Sequence, residues 1–196
     1  ELEFPEAFSG EGRGFDVVIG NPPYDELSEV ALGRKIDEKK YFQDSQIYQI
    51  ASTNRINLYR LFIACALDKI KKRGVHGFIV PMSLLGDRFT FEIRSKILNE
   101  SDLQLVEAFP QKDDPKDRVF FDAKLPTCVY ILVRQSPISA FMVRTHPGKD
   151  IKVGSPSYIA SSPEIVKFDP INLTIPLCDN REWDLARKFA LCPVLC

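Results

Sequence analysis

The feature that most constrains this chain is the stretch Phe15-Asp16-Val17-Val18-Ile19-Gly20-Asn21-Pro22-Pro23-Tyr24. Val17, Val18 and Ile19 are β-branched and show no polar alternation, the pattern of a strand buried on both faces. Gly20 ends the run. The prolines behind it lack an amide hydrogen and have a fixed φ, so neither a ladder nor a helix can continue. Asn21 and Tyr24 are therefore presented at the carboxyl end of a core strand, where open α/β sheets bind ligands.

The rest of the chain alternates. Residues 1–14 form a loop leading into that strand. Glu26 to Lys40 can form a helix with sparse apolar positions, Leu27, Val30 and Ile36. Tyr41-Phe42 and Ile47-Tyr48 behind it are either a lid over the cleft or a surface insertion. Arg55 to Arg73 is a helix, with Ile56, Tyr59, Ile63, Ala66, Leu67 and Ile70 on one face. Ser52, Thr53 or Asn54 can cap its start, basic residues suit its last turns, and Gly74 ends it. Gly77 to Pro81 is a second buried strand, followed by Ser83. A helix from Asp87, its cap, to Asn99 comes next. Strands follow at Leu103–Phe109, Thr127–Arg134 and Ser139–Arg144, with a charged loop, Gln111–Arg118, between the first two. This order implies a parallel α/β sheet with a hairpin at one edge.

The 196 residues suffice for one sizeable domain. A formal net charge of -1 is unlike the basic balance of many free-standing DNA-binding domains, so either other parts of the protein supply the basic surface or the cleft is locally positive on a neutral body. The odd cysteine count (five) and the lack of close metal-site spacing fit a reducing cytoplasm without structural disulfides. Cys65 and Cys128 sit in apolar runs and are expected to be buried thiols. His76 and His146 are expected to be structural. No segment approaches a membrane span in length.

Asn21-Pro22-Pro23-Tyr24 after a buried strand resembles the signature of amino-methyltransferases acting on nucleic-acid bases, the N6-adenine DNA methyltransferases in particular. Across roughly Phe4 to Arg134 the chain is most similar to the type IIG restriction–modification enzymes. Phe4-Pro5-Glu6 resembles the family's lead-in. Asn57-Leu58-Tyr59-Arg60-Leu61-Phe62 resembles its fifth motif, Gly77 to Pro81 its sixth, and Val119 to Thr127 its eighth. The fold this implies is a partial S-adenosylmethionine-dependent methyltransferase fold of the Rossmann-like α/β class. It is a mostly parallel sheet with an antiparallel strand near one edge.

The resemblance implies that Asn21, Pro22 and Tyr24 are catalytic. The exocyclic nitrogen of adenine is a poor nucleophile because its lone pair is delocalised. Two acceptors, the Asn21 side-chain oxygen and the Pro22 carbonyl, favour a tetrahedral nitrogen and stabilise the positive charge that grows on it. Tyr24 offers a flat face to a flipped base, and Phe120, with Phe121 second, packs on the base's other side. Two adjacent phenylalanines in an extended segment cannot both point inward. Asn21 and Phe62 are the implied cofactor contacts. No metal is implied.

The family's glycine-rich cofactor loop precedes the signature, and nothing before Asn21 supplies it. Gly10, Gly12 and Gly14 do not follow a buried strand. The chain is thus expected to be the C-terminal half of a catalytic domain, residues 1–146, with 147–196 as a connector towards a target-recognition domain. Val17–Ile19 would then be an open sheet edge, and the isolated chain is expected to be inactive and to self-associate, or to be only marginally stable. The partner of the full-length protein is expected to be double-stranded DNA. The rival readings are methylation of RNA adenine or protein glutamine, and a non-catalytic scaffold or DNA-binding module.

Overall fold

The computed structural model describes residues 3–10, 12–52 and 55–191. In chain order, a turn of helix α1 (Pro5–Phe8) leads to strand β1 (Phe15–Gly20). Short helices α2 (Glu29–Leu32) and α3 (Glu38–Asp44) precede α4 (Leu58–Lys69), β2 (Ile70–Pro81), α5 (Phe91–Glu100) and β3 (Asp102–Phe109). Strands β4 (Thr127–Val133), β5 (Phe141–Thr145) and β6 (Ser157–Ala160) and helices α6 (Ser162–Phe168) and α7 (Asn180–Leu191) complete it.

These strands form one six-stranded sheet in the order β1-β2-β4-β3-β5-β6. β1 pairs parallel with β2 and β3 parallel with β5, while β4 and β6 run against their neighbours. The α/β class and the antiparallel strand expected from the sequence are both present, and β4 lies between the parallel strands β2 and β3. Helices α4, α5 and α7 pack on β2, β3 and β6 respectively. Against them the sheet presents His76, Phe78, Val80, Cys128, Tyr130, Leu132, Val106, Val143 and Tyr158, all buried. This side holds the core, closed at the far end by Trp183, whose ring lies 4.8 Å from that of Tyr158.

Four expectations are corrected. Val17–Ile19 is not buried on both faces: β1 is the outer strand, with Val17 55% and Ile19 76% exposed and only Val18 turned to the core. With no neighbouring strand outside it among the described residues, β1 is the open edge that the sequence led us to expect.

The helix expected over Arg55–Arg73 is shorter, and Ile70 to Arg73 begin β2 instead of ending α4. The cause is a long-range contact. A Cβ on Gly14 would lie 2.5 Å from the Lys69 carbonyl and 2.7 Å from the Lys71 amide, so only glycine lets the start of β1 press there. Asn57 is the residue before α4, Ser52 hydrogen-bonds the Phe42 and Tyr48 carbonyls instead, and Thr53 and Asn54 lie outside the described residues.

The single helix over Glu26–Lys40 is two short ones, separated around Gly33, which has φ 63°. The Tyr41, Phe42 and Tyr48 rings cluster together, Tyr48 reaching Cys65 of α4. Finally, Cys65 is half-buried, while Cys128 is fully buried as expected.

Asp87 caps the turn before α5, accepting the Phe89 amide hydrogen at 2.8 Å. The stretch after Pro147, read as a connector, contributes β6 to the sheet and Trp183 to the core. Among the described residues no helix is long and apolar enough to cross a membrane.

Candidate active site

β1 delivers its last residue, Gly20, beside Phe78 of β2, and the chain then turns through the two prolines. Pro22 is buried, which anchors the turn, while Asn21 is exposed. The Asn21 side chain makes no hydrogen bond among the described residues. Tyr24 swings back over the sheet, and its hydroxyl donates to the Ile79 carbonyl at 3.1 Å. Burial pushes that hydroxyl's pKa up to about 12, so it remains a neutral donor throughout the physiological range.

Beyond Tyr24 the chain is tied to the entry of α4. The Leu27 amide donates to the Ile56 carbonyl at 2.7 Å and the Leu58 amide to the Asp25 carbonyl at 2.9 Å. The Tyr24 ring is thus held at its hydroxyl and behind its backbone. Tyr59 meets it edge-on, with centroids 6.4 Å apart. In front lies a hollow of about 390 Å³, lined in part by Tyr24, Asn57, Tyr59, Pro81, Ser83 and Leu125. This is within the range of small-ligand pockets.

Phe120 comes to Tyr24 from a loop, centroids 6.0 Å apart and planes at 69°. Arg118 organises that loop, donating to the Lys112 carbonyl at 2.9 Å and the Asp113 carbonyl at 2.5 Å. Phe121 is 65% exposed, so the two phenylalanines do diverge. The Tyr24 and Phe120 rings touch edge to face. A base stacked between them needs about 7 Å between parallel planes, two contacts of about 3.5 Å each. Phe62 is 48% exposed on α4 and lines no part of this hollow. Neither do Tyr41, Phe42 and Tyr48, so the segment is no lid over it in this conformation.

Sequence reading missed several residues here. Ser83 Oγ lies 3.0 Å from Tyr59 Oη, a hydroxyl pair in the wall of the hollow. Ser83 is a polar residue just past a strand and its terminal proline, and that was the available signal. Tyr59 stood as an apolar helix position and within the Asn57–Phe62 motif, with no role assigned to its hydroxyl.

Two fully buried arginines hold the back of the site and have no such signal. Arg60 donates to the Phe89, Ala51 and Arg55 carbonyls at 2.6–2.7 Å. Arg94 donates to the Leu84, Asp87 and Asn172 carbonyls. Burial lowers the pKa of both, and the carbonyl partners replace the water they lose.

A second polar cluster lies further along the same sheet end. His146 is buried, with Nε2 2.6 Å from Glu107 Oε2 and Nδ1 3.1 Å from Ser155 Oγ. The Lys152 amide also donates to Nδ1, which places the ring proton on Nε2 and makes Glu107 its acceptor. Arg144 holds the other Glu107 oxygen at 3.1 Å. His76 is likewise buried, and burial lowers its pKa to about 3. Both histidines are structural, as expected. Among the described residues no group of His, Cys, Asp and Glu could hold a metal ion.

Residues 1–114 match the model of the Eco57I restriction-modification methylase family. The chain belongs to that family. A putative type II restriction enzyme and methyltransferase of Methanocaldococcus jannaschii is 28% identical over 132 residues, which are 67% of this chain and 10% of that protein. The modification methylase CviBIII of Paramecium bursaria Chlorella virus NC1A is 26% identical over 152 residues, 76% of this chain and 35% of that one. This Eco57I-family chain therefore spans between a tenth and about a third of the length of these relatives.

Among solved structures, the methyltransferase subunit of a type I restriction-modification system from Streptococcus thermophilus superposes with TM-score 0.58. It shares 19% identity, and the match covers 88% of this chain and 39% of that one. The type IIG restriction endonuclease BpuSI gives 0.55 at 16% identity, over 82% of this chain and 20% of that one. These likenesses establish the fold.

Proposed function

We propose that this chain carries the base-gripping half of an adenine-N6 DNA methyltransferase. The observation that carries the reading is Asn21: an exposed amide with no hydrogen-bond partner among the described residues, just past the end of β1 and three residues before a tethered tyrosine that lines a hollow. In this reading the Asn21 oxygen and the Pro22 carbonyl accept the two N6 hydrogens, and charge developing on nitrogen meets oxygens already in place. Tyr24 stacks on the flipped base, and its tether to Ile79 removes the cost of ordering it. Phe120 takes the other face once its loop turns the ring from edge-on to parallel.

S-adenosylmethionine, when bound, supplies the methyl group. Asn21 and Phe62 are the candidates for its contacts, since both are exposed and Phe62 offers a bare ring to an adenine. No glycine-rich loop following a buried strand stands among the described residues before Asn21. Double-stranded DNA is the partner assigned to the full-length protein.

The test is transfer of radiolabelled methyl from S-adenosylmethionine by the full-length protein to duplex DNA, RNA and protein, followed by nucleoside analysis. N6-methyladenine from DNA is the expected product. Label confined to RNA or to glutamine would overturn the DNA assignment.

A further inference from the structure

A second hollow opens on the same end of the sheet. β1, β2, β3 and β5 all run the same way, since β4 opposes both β2 and β3, and they finish at Gly20, Pro81, Phe109 and Thr145. The hollow before Tyr24 sits over the end of β2, where Pro81 lines it. The other, of about 590 Å³, sits over the ends of β3 and β5. It is lined in part by Pro110, Lys112, Thr145, His146, Lys152 and Ser155.

Its floor is fixed. The His146 ring stacks on Phe109 with centroids 4.9 Å apart, and Glu107 holds its Nε2. Lys152 is tied on both sides of its backbone: its amide donates to His146 Nδ1 at 3.2 Å, and its carbonyl accepts the Ser155 amide at 3.1 Å. The Lys112 carbonyl accepts Arg118 Nε at 2.9 Å, a contact that also organises the Phe120 loop. Both backbones are thus held, while neither ammonium makes a hydrogen bond or ion pair among the described residues. Thr145 adds a buried hydroxyl that also has no partner there.

The charge left over is positive. Among the described residues no carboxylate lines this hollow. In the neighbouring loop, Asp113 pairs with Lys124 at 2.5 Å and Asp114 accepts the Lys116 amide at 2.9 Å, while Asp117 and Asp150 stand outside the lining. On a chain of net charge -1, two unpaired cations over one hollow are a local departure that selects an anion. Spacing says which anion. β2 and β5 are three strand places apart, which is about 14 Å at about 4.8 Å per place. That equals about four steps of a DNA strand at about 3.4 Å each. A duplex lying along this end of the sheet, with one base at Tyr24, lays its backbone across the second hollow.

We propose that Lys112 and Lys152 seat a backbone phosphate of the DNA duplex, about four nucleotides from the flipped base. The proposal rests on the DNA reading given above and adds a contact outside its base slot. Two ammonium groups on anchored backbones neutralise the phosphodiester. Such a contact reads no sequence; it fixes the register in which the duplex lies over Tyr24.

The salt dependence of DNA binding by the full-length protein tests this. Lys112→Gln, Lys152→Gln and the double variant are titrated by fluorescence anisotropy against a fluorescein-labelled duplex of random sequence, from low to moderate salt. Each neutralising contact that is lost lowers the steepness of log K against log salt by about 0.9, so the double variant should lose about 1.8 and bind several-fold more weakly. Lys112→Arg should keep the parental slope. So should Lys72→Gln, which removes an exposed lysine at the opposite end of β2. An unchanged slope in the double variant overturns the proposal. An equal loss from Lys72→Gln also overturns it, because the slope then reports net charge alone. Methylated product is read on the same preparations. N6-methyladenine in DNA with parental slopes removes the phosphate seat and keeps the methyl-transfer reading. Lowered slopes with no methylated DNA keep the seat and remove that reading. A parent protein that binds no DNA removes both.

Discussion

At one end of the sheet edge, Glu107, His146, Ser155 and Arg144 hydrogen-bond one another, so that the carboxylate and the imidazole are both engaged and, of these four side chains, Arg144 Nε is left buried without a partner among the described residues. At the other end, the Asn21 side chain has no hydrogen-bond partner among the described residues, and the Tyr24 hydroxyl is tethered while its ring meets Tyr59 and Phe120 only edge-on. Residue types at the first cluster match those of hydrolytic triads, yet the Lys152 amide already sits on the nitrogen that a serine would need as its base. The difference teaches that chemistry is located by hydrogen-bonding capacity left over after folding, not by which residues assemble. Saturated polar groups stiffen a fold; unsaturated ones at a rim await a ligand.

The comparison can be broken most sharply at its two centres. Asn21→Ala in the full-length protein is expected to lower methyl transfer by about 100- to 1000-fold, the usual cost of a transition-state hydrogen-bond partner. Its thermal midpoint should remain within a degree or so of the parent, since surface changes alter stability by under about 0.5 kcal/mol. Retained biological function would favour the non-catalytic module instead. Glu107→Ala should do the reverse. It leaves Arg144 and the His146 ring proton without an acceptor and costs about 3 kcal/mol in denaturant unfolding. Transfer per folded molecule should hardly move. Loss of activity with stability intact would erase the contrast.

Two smaller effects sharpen it. His76 has its pKa lowered by burial from 6.5 to about 3. The unfolded chain therefore binds a proton first as pH falls below 6.5, and stability drops. From pH 6.5 to about pH 5 this residue alone removes about 2 kcal/mol, measurable as a shift in urea midpoint that His76→Phe should abolish. The smallest change is Tyr24→Phe, which leaves the Ile79 carbonyl short of a donor and costs about 1 kcal/mol by chemical denaturation. The ring survives, so DNA binding should be kept, whereas Tyr24→Ala should weaken it.

What the sequence disclosed, it disclosed locally. Asn21 to Tyr24 were legible because a strand, a glycine and two prolines are neighbours in the chain. Asp87 was legible as a cap for the same reason. The end of α4 was not, because it depends on Gly14 pressing on Lys69 and Lys71 from more than fifty residues away. The His146 pairing with Glu107 spans 39 residues, and neither has a partner nearby in sequence. Burial of Arg60 and Arg94 ran against their composition, and only the carbonyls around them explain it. β6 was hidden because its four residues were too few to stand out among prolines, glycines and serines.

The placement of β4 has a consequence for the order of assembly. It is made after β3 yet lies between β2 and β3, so those strands stay unconnected until it slots in. The segment that threads it into that gap also brings Phe120 to Tyr24. A strand with no chemistry of its own thus works as a keystone: until it is set, there is neither a continuous sheet nor a second wall for the cleft.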